Sequence, residues 1–314
     1  MKIYTDDPAF AESLLDPAPA WRVVSLPDVD PPLRFLASQL FPAPAALKSA
    51  FLPRRFWKYL LIVKQAPRSQ FDLLVECARA NPLLPGGILC IADTGDKLHG
   101  FRNRPWQSLS GNLHLSAFLT PGREIPHFQV GFIVLAAVSV LETLNSLPGL
   151  KHPASIKWVN DILLGGAKVS GVLAHTLTQG KTVTAAALGI GINVETTPAL
   201  PPDPFVLQAA SLRDFAAPTS PCSRKWVFTR LTGILRTNYR RLLAGEYRHL
   251  LEVYRQHSAV IGREAAIYSD PMDAAPQEIR RGKIRAIGEN LELFLENSEV
   301  PVTRGRLAFL PGEA

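Results

Sequence analysis

Apolar residues along the chain come in short runs punctuated by glycine and proline, and their period changes from strand-like to helix-like and back. Residues 59–63 form an apolar run suited to a strand. Ser69 then precedes an amphipathic stretch that ends at Ala80, which predicts a helix with Ser69 as its N-cap. Residues 87–92 predict a second strand, 93–105 a loop rich in charge and glycine, and 112–118 a third strand. The longest apolar run, 130–141, falls well short of the roughly 20 residues of a membrane span, and predicts a buried helix within 125–147. Strands follow at 155–159, 161–164, 168–175 and 183–194. Residues 224–244 and 246–257 carry the helical period, with Trp226, Leu231, Leu235, Tyr239 and Leu242 on one side. The strand period then returns at 260–268, 283–287, 291–295 and 300–303, with Gly288-Glu289-Asn290 as a turn, and predicts a small β-barrel.

Residues 1–58 are different. They are proline-rich, with short helices expected at 33–40 and 45–51 and no helix-turn-helix pattern. Three regions result: a proline-rich N-terminal extension (1–58), packed on the main domain, an α/β main domain with a mixed sheet flanked by helices (59–257), and a small C-terminal, SH3-like β-barrel (258–314).

Composition narrows the classes without naming one. Hydrophobic residues make up 47% of the 314 and charged residues 19%, which suits a globular chain with a sizeable core. A net charge of +7 allows an acidic partner and does not call for nucleic acid. Cys77, Cys90 and Cys222 are scattered, which speaks against a disulfide framework or a zinc site and for a reducing compartment. Asp6 and Asp7 stand where an export signal would need apolar residues, so a cytoplasmic location is expected, with no membrane partner. Arg236, Arg240, Arg241 and Arg248 make a basic stripe, which reads first as a solvated helix face.

The candidate chemistry sits around residues 156–173. Two apolar strands flank Gly165-Gly166, a pair suited to the positive φ angles of a tight hairpin. Lys157 lies inside the first strand and Lys168 opens the second. A lysine buried in apolar surroundings is costly unless an anion meets it, so the two either point to solvent or line an anion site. Further on, Gly189-Ile190-Gly191 lacks the third glycine and following helix of a dinucleotide fingerprint, and marks a close approach of backbone or ligand.

These residues carry a resemblance. Lys157-Trp158-Val159-Asn160-Asp161, followed by Lys168-Val169-Ser170-Gly171-Val172-Leu173, resembles the Lys-Trp-Pro-Asn-Asp…Lys-x-x-Gly signature of biotin protein ligases, with Val159 where proline is usual. Gly111-Asn112-Leu113-His114-Leu115-Ser116 and Gly189-Ile190-Gly191-Ile192-Asn193-Val194 are similar to two further strands of that family, in the same order. Arg104-Pro105-Trp106 resembles the end of its glycine- and arginine-rich adenylate loop, and Ser69-Gln70-Phe71 retains the serine of its Ser-Thr-(Asn/Gln) segment, where Ser69 would bind substrate or nucleotide. The resemblance implies a biotin/lipoate ligase-like fold and ATP-dependent ligation of biotin, or of a related acid such as lipoate or octanoate, to a lysine of a biotin/lipoyl carrier domain. An acyl-adenylate is the intermediate, ATP and Mg2+ take part, and a homodimer is among the assemblies the family allows. Lys157 would be the catalytic cation at carboxylate and α-phosphate, Asn160 and Asp161 would fix the turn after it, and Lys168 would line the same site. Asn193 and the backbone of Gly189 and Gly191 would lie against the nucleotide; Gly111, Asn112 and Gly171, on the other matched segments, would likewise bind substrate or nucleotide. The adenylate loop departs from the pattern: Leu98, His99 and Phe101 replace a glycine and two arginines, while Gly100, Arg104 and Trp106 remain and Arg102 lies within reach. That departure leaves a second reading open, a non-catalytic protein on the same fold that binds an adenylate or an acyl carrier.

Overall fold

A computed structural model describes residues 1–42, 46–53, 56–201, 203–206, 208–270, 275–296 and 298–310. In chain order the strands are β1 Lys2–Thr5, β2 Arg22–Val23, β3 Lys48–Phe51, β4 Tyr59–Ala66, β5 Ile88–Gly95, β6 Leu113–Leu119, β7 Arg123–Glu124, β8 Ala154–Lys157, β9 Asp161–Leu164, β10 Ala167–Gln179, β11 Thr182–Ile192, β12 Glu264–Tyr268, β13 Glu278–Ile287, β14 Leu293–Leu295 and β15 Arg306–Phe309. The helices are α1 Pro8–Leu14, α2 Arg34–Leu40, α3 Gln70–Ala80, α4 Phe128–Asn145, α5 Leu212–Phe215, α6 Arg224–Leu243 and α7 Tyr247–Gln256.

Among the described residues the main sheet runs β2-β3-β1-β4-β5-β6-β11-β10-β9-β8, with β7 added beside β11. It is mixed: β1, β4 and β5 are parallel neighbours and the strands from β5 to β8 pair antiparallel. Alternate residues of β4 explain why it reads as a continuous apolar run. Leu60 and Ile62 join the core under α1, α4 and α6, whereas Leu61 and Val63 join a second core under α2 and α3. A strand covered by helices on both faces has no polar side. Helix α4 is apolar nearly all round and largely buried. Among the described residues it alone is long and apolar enough to cross a membrane, yet 67% of it is buried inside the fold.

Residues 1–58 are more than a coat. Strand β1 lies inside the sheet between β3 and β4, and the N-terminal amine donates to the Leu52 carbonyl. The helix expected at 45–51 is corrected: residues 48–51 form β3, and Ala45 lies outside the described residues. Pairing with β1 overrides local propensity in so short a segment. The C-terminal residues form a separate four-stranded antiparallel sheet, β14-β13-β12-β15. Its fourth strand is β15 and not 300–303, where only Val302 bridges to Leu293. Ile267, Ile284, Leu293 and Leu307 of this sheet, and Leu291 in the turn between β13 and β14, belong to the same buried cluster as the main core. We propose the division near residue 258 as one of topology, with hydrophobic core continuous across it.

Candidate active site

Strands β8, β9 and β10 form two successive hairpins. Gly165 and Gly166 close the second with φ of +53° and +83°, values a side chain would resist. The first turn is held from three sides: Trp158 Nε1 donates to the Leu291 carbonyl at 2.7 Å, Tyr254 Oη to that of Val159 at 2.9 Å, and Asn160 Nδ2 to that of Val172 at 2.7 Å. The Trp158–Val159 peptide is cis. Asn160 therefore fastens the turn to β10, and the hairpin register sets Lys157 opposite Asp161.

Lys157 does not point to solvent. It is 7% exposed, and its Nζ donates to the Phe205 carbonyl. Burial, the largest cause, pulls its pKa down to about 8; Asp161 opposes the fall, and Lys168 and Arg306 add to it. Lys168 pairs with Asp161 at 2.7 Å and stands over the Trp106 ring. A lysine without a buried anion of its own, beside a second cation, favours an anionic ligand.

The tryptophan decides what the glycines do. A Cβ on Gly191 would come within 2.6 Å of the Trp106 indole, so this position has room for glycine alone. One on Gly189 would press Phe71 at 3.3 Å and Leu173 at 3.4 Å. Trp106 Nε1 donates to His114 Nδ1 at 3.3 Å. His114 is 3% exposed, and burial, the largest cause, lowers its pKa to about 4, so the ring is neutral and its free nitrogen accepts. Gly191→Ala is expected to drive the indole out of place, with a changed tryptophan emission and a lower melting temperature; an unchanged emission and melting temperature would refute this packing role.

The loop at 98–106 is tied by a bridge between His99 and Pro105 and by the Gly100 amide donating to the Arg104 carbonyl at 2.7 Å. His99 Nε2 lies 2.8 Å from Asp72 Oδ2. Burial would lower the His99 pKa, but the hydrogen bonds to the Gly100 carbonyl and Asp72 raise it. Phe101 is 47% exposed at the rim.

These parts enclose a cavity of about 470 Å³. Lys157, Ser69, Gly100, Arg104, Trp106, Asn160, Asp161, Lys168, Gly171, Gly189, Gly191 and Asn193 all line it. Arg102, Gly111 and Asn112 are corrected: they are not in its wall. Arg102 is drawn away to Asp270. Asn112 is fully buried; its Oδ1 accepts from the amides of Val194, Glu195 and Thr196 and its Nδ2 donates to the Thr196 carbonyl, which locks the turn after β11. Gly111, at φ +93°, lets that turn come close, since a Cβ would meet Thr196 Oγ1 at 2.7 Å.

Two further wall residues, Arg306 and Gln70, gave no signal in the sequence. Arg306 from β15 stacks on the Phe205 ring at 3.6 Å and pairs with Asp203 at 3.3 Å. Gln70 is 3% exposed and its Nε2 has no partner; Asn193 is 2% exposed, its Nδ2 donates to Ala210, and its Oδ1 has no partner. Buried polar atoms left open in a cavity wall suit a ligand that completes them. Lys157, Lys168, Arg104 and Arg306 give the wall four cations, against the carboxylates of Asp161 and Asp203. No cluster of three His, Cys, Asp or Glu side chains that could hold a metal occurs among the described residues. A magnesium ion here would rest mainly on phosphates, as that ion commonly does, with one of these carboxylates beside it.

The profile of the biotin/lipoate A/B protein ligase family matches residues 83–193. The chain is 35% identical over 139 residues to the bifunctional ligase/repressor BirA of Bacillus subtilis, covering 44% of this chain and 42% of that one. It is 33% identical over 124 residues to the biotin–[acetyl-CoA-carboxylase] ligase of Paracoccus denitrificans, covering 39% and 51%. The chain thus spans about half the length of the curated relatives it matches. Its fold is similar to that of the biotin protein ligase from Aquifex aeolicus in complex with biotin and ATP, with a TM-score of 0.61 at 22% identity over 80% of this chain and 98% of that one.

Proposed function

We propose that this chain, whose residues 83–193 match the profile of the biotin/lipoate A/B protein ligase family, is an ATP-dependent ligase that joins a carboxylic acid, biotin in the first place, to a lysine of a carrier protein. The observation that carries the reading is Lys157, a buried cation in the wall of a cavity with three further cations. In the first step an oxygen of the acid's carboxylate attacks the α-phosphorus of ATP, and the bond to pyrophosphate breaks. In the second the carrier's amine attacks the carbonyl carbon of the acyl-adenylate, and AMP leaves. Both steps place negative charge on phosphate oxygens, where fixed cations lower the barrier. Lys157 would meet carboxylate and α-phosphate, and Lys168, held by Asp161, would flank them. Trp106 and the Gly189–Gly191 backbone would border the nucleotide, and Asn193 Oδ1 would accept from a donor on it. Magnesium, carried in on the phosphates, would neutralise part of their charge.

The test is pyrophosphate exchange with ATP and biotin, lipoate or octanoate in turn. Exchange with one acid identifies both reaction and substrate. The exposed Phe101, standing where the family reaches the ligand with arginine, favours the second reading of an adenylate- or acyl-carrier-binding protein. Absence of exchange with all three acids, together with calorimetric binding of a synthetic biotinyl-adenylate, would establish that reading instead.

A pH dependence follows from Lys157. It is protonated below about 8 in the free protein, so affinity for ATP should hold below that pH and weaken as pH rises through it. Calorimetric titrations from pH 7 to 9.5 should show this fall in the native protein and not in Lys157→Met. A flat native profile would remove Lys157 from the phosphate site.

A further inference from the structure

The loop that lacks an arginine at Phe101 keeps two others, and both face one carboxylate. Arg102 Nε lies 3.3 Å and Arg104 Nη2 3.6 Å from Oδ2 of Asp270, two residues past the end of β12 (Glu264–Tyr268). The Asp270 side chain is 10% exposed, and this oxygen is buried with no hydrogen-bond partner among the described residues. Arg104 also lines the cavity, and Arg102 is held at φ +56°, a left-handed conformation that a non-glycine residue adopts at a cost. A single buried carboxylate thus lies between two guanidinium groups, one of them from the cavity wall, in the kind of pairing that a phosphate group also accepts.

We propose that Asp270 is an internal stand-in for the ligand's phosphate: it latches the 98–106 loop to the C-terminal sheet in the empty protein and yields Arg104 to ATP on binding. The exchange is favoured in direction. A terminal phosphate carries more charge than a carboxylate and offers arginine three oxygens instead of two. Arg102 and Asp270 stay together through it, so the loop keeps its anchor while Arg104 turns inward. The latch offsets the conformational cost at Arg102 and keeps the cavity cations from repelling one another while no ligand is bound. The Phe101 ring lies 5.7 and 6.0 Å from the two guanidinium groups, close enough for cation–π attraction to both.

The inference rests on the cavity being a nucleotide site, so the test has one readout that needs no ligand. Amide hydrogen exchange over residues 98–106 is compared for the native protein and Asp270→Asn, a substitution of nearly equal shape. The latch predicts exchange about 3- to 10-fold faster in the variant, with the rest of the molecule unchanged. ATP affinity is then measured by calorimetry on both proteins. Loss of the internal competitor predicts binding about 3- to 10-fold tighter in Asp270→Asn. Unchanged loop exchange overturns the latch. Faster exchange with weaker ATP binding overturns the competition and makes Asp270 a residue that positions the arginines. Faster exchange with no ATP binding by either protein overturns the yielding step together with the nucleotide reading, and leaves only a loop tether. Arg102→Lys gives an independent arm: it keeps the charge but loses the guanidinium fork, and should speed loop exchange with little change in ATP affinity. An ATP affinity that falls as steeply as in Arg104→Lys would overturn the division of labour between the two arginines.

Discussion

Replacing Lys157 with alanine is expected to slow adenylate formation by about 10²–10³-fold, the usual loss when one preorganised charge donor is removed from a phosphoryl or acyl transfer site. The fold should survive the change. Lys157 contributes its charge at a cost to stability, because burial holds its pKa near 8 against 10.5 in an unfolded chain. The sign follows from proton counting. Between about 8 and 10.5 the unfolded chain binds the lysine proton and the folded chain largely does not, so stability falls as pH drops through that window and the full cost is present below about 8. At pH 7 the cost is roughly 3 kcal/mol. Alanine removes it and gives up the hydrogen bond to the Phe205 carbonyl, a loss of about 1 kcal/mol. Lys157→Ala should therefore melt no lower than the native protein at pH 7, and its advantage should vanish toward pH 10.5. Pyrophosphate exchange and calorimetric melting on the same preparation decide the matter. Near-normal exchange would take Lys157 out of the chemistry, and a variant that melts much lower would make it a structural residue.

A residue that costs stability where it stands is legible in sequence for the same reason. Lys157 interrupts an apolar strand, and so does not fit the pattern that folds the chain. The Gly165-Gly166 turn and the hairpins around it could be read because alternation and turn chemistry are local. The continuous run at β4 could be read as a strand, but not that two helical layers cover it, since that depends on elements far along the chain. Strands of two to four residues were the ones missed or misplaced, among them β1, β3 and β15: so few residues show no period, and proline nearby hides what there is. Arg306 and Asp203 meet across 103 residues, and Arg102 meets Asp270 across an equally unreadable distance. Nothing local marks either arginine as part of the cavity or its latch. Asn112 shows the opposite error. It stands in a recognisable strand motif, yet its amide is spent on three backbone N–H groups and a carbonyl. A conspicuous polar residue in an apolar strand can serve a turn as readily as a ligand.

Truncation after residue 258 is expected to unfold or severely destabilise what remains, although the change of period suggests an independent small domain. The second sheet takes part in the main core. Trp158, Tyr247 and Arg255 of the main domain donate to the carbonyls of Leu291, Glu289 and Ile287. Losing these three bonds costs about 1.5–4.5 kcal/mol at 0.5–1.5 each. Trp158 and Tyr254, 7% and 0% exposed, belong to the same apolar cluster as Leu291 and Leu293 and would lose cover. Exposing a large apolar side chain costs about 1.5–3 kcal/mol. The total, on the order of 5 kcal/mol, is comparable with the whole stability of many domains. For a fragment of this size it corresponds to a melting temperature lower by about 10–20 °C, or to insoluble protein. The site would suffer with the fold, since Arg306, Leu307 and the Asp270 latch leave together while Trp158, next to Lys157 in the chain, loses its hydrogen-bond acceptor. Differential scanning calorimetry of the fragment 1–258 beside the full chain makes the comparison. A soluble fragment melting within about 2 °C of the full chain would show that the continuous core contributes little across the boundary, and that the sheet is an appended module after all.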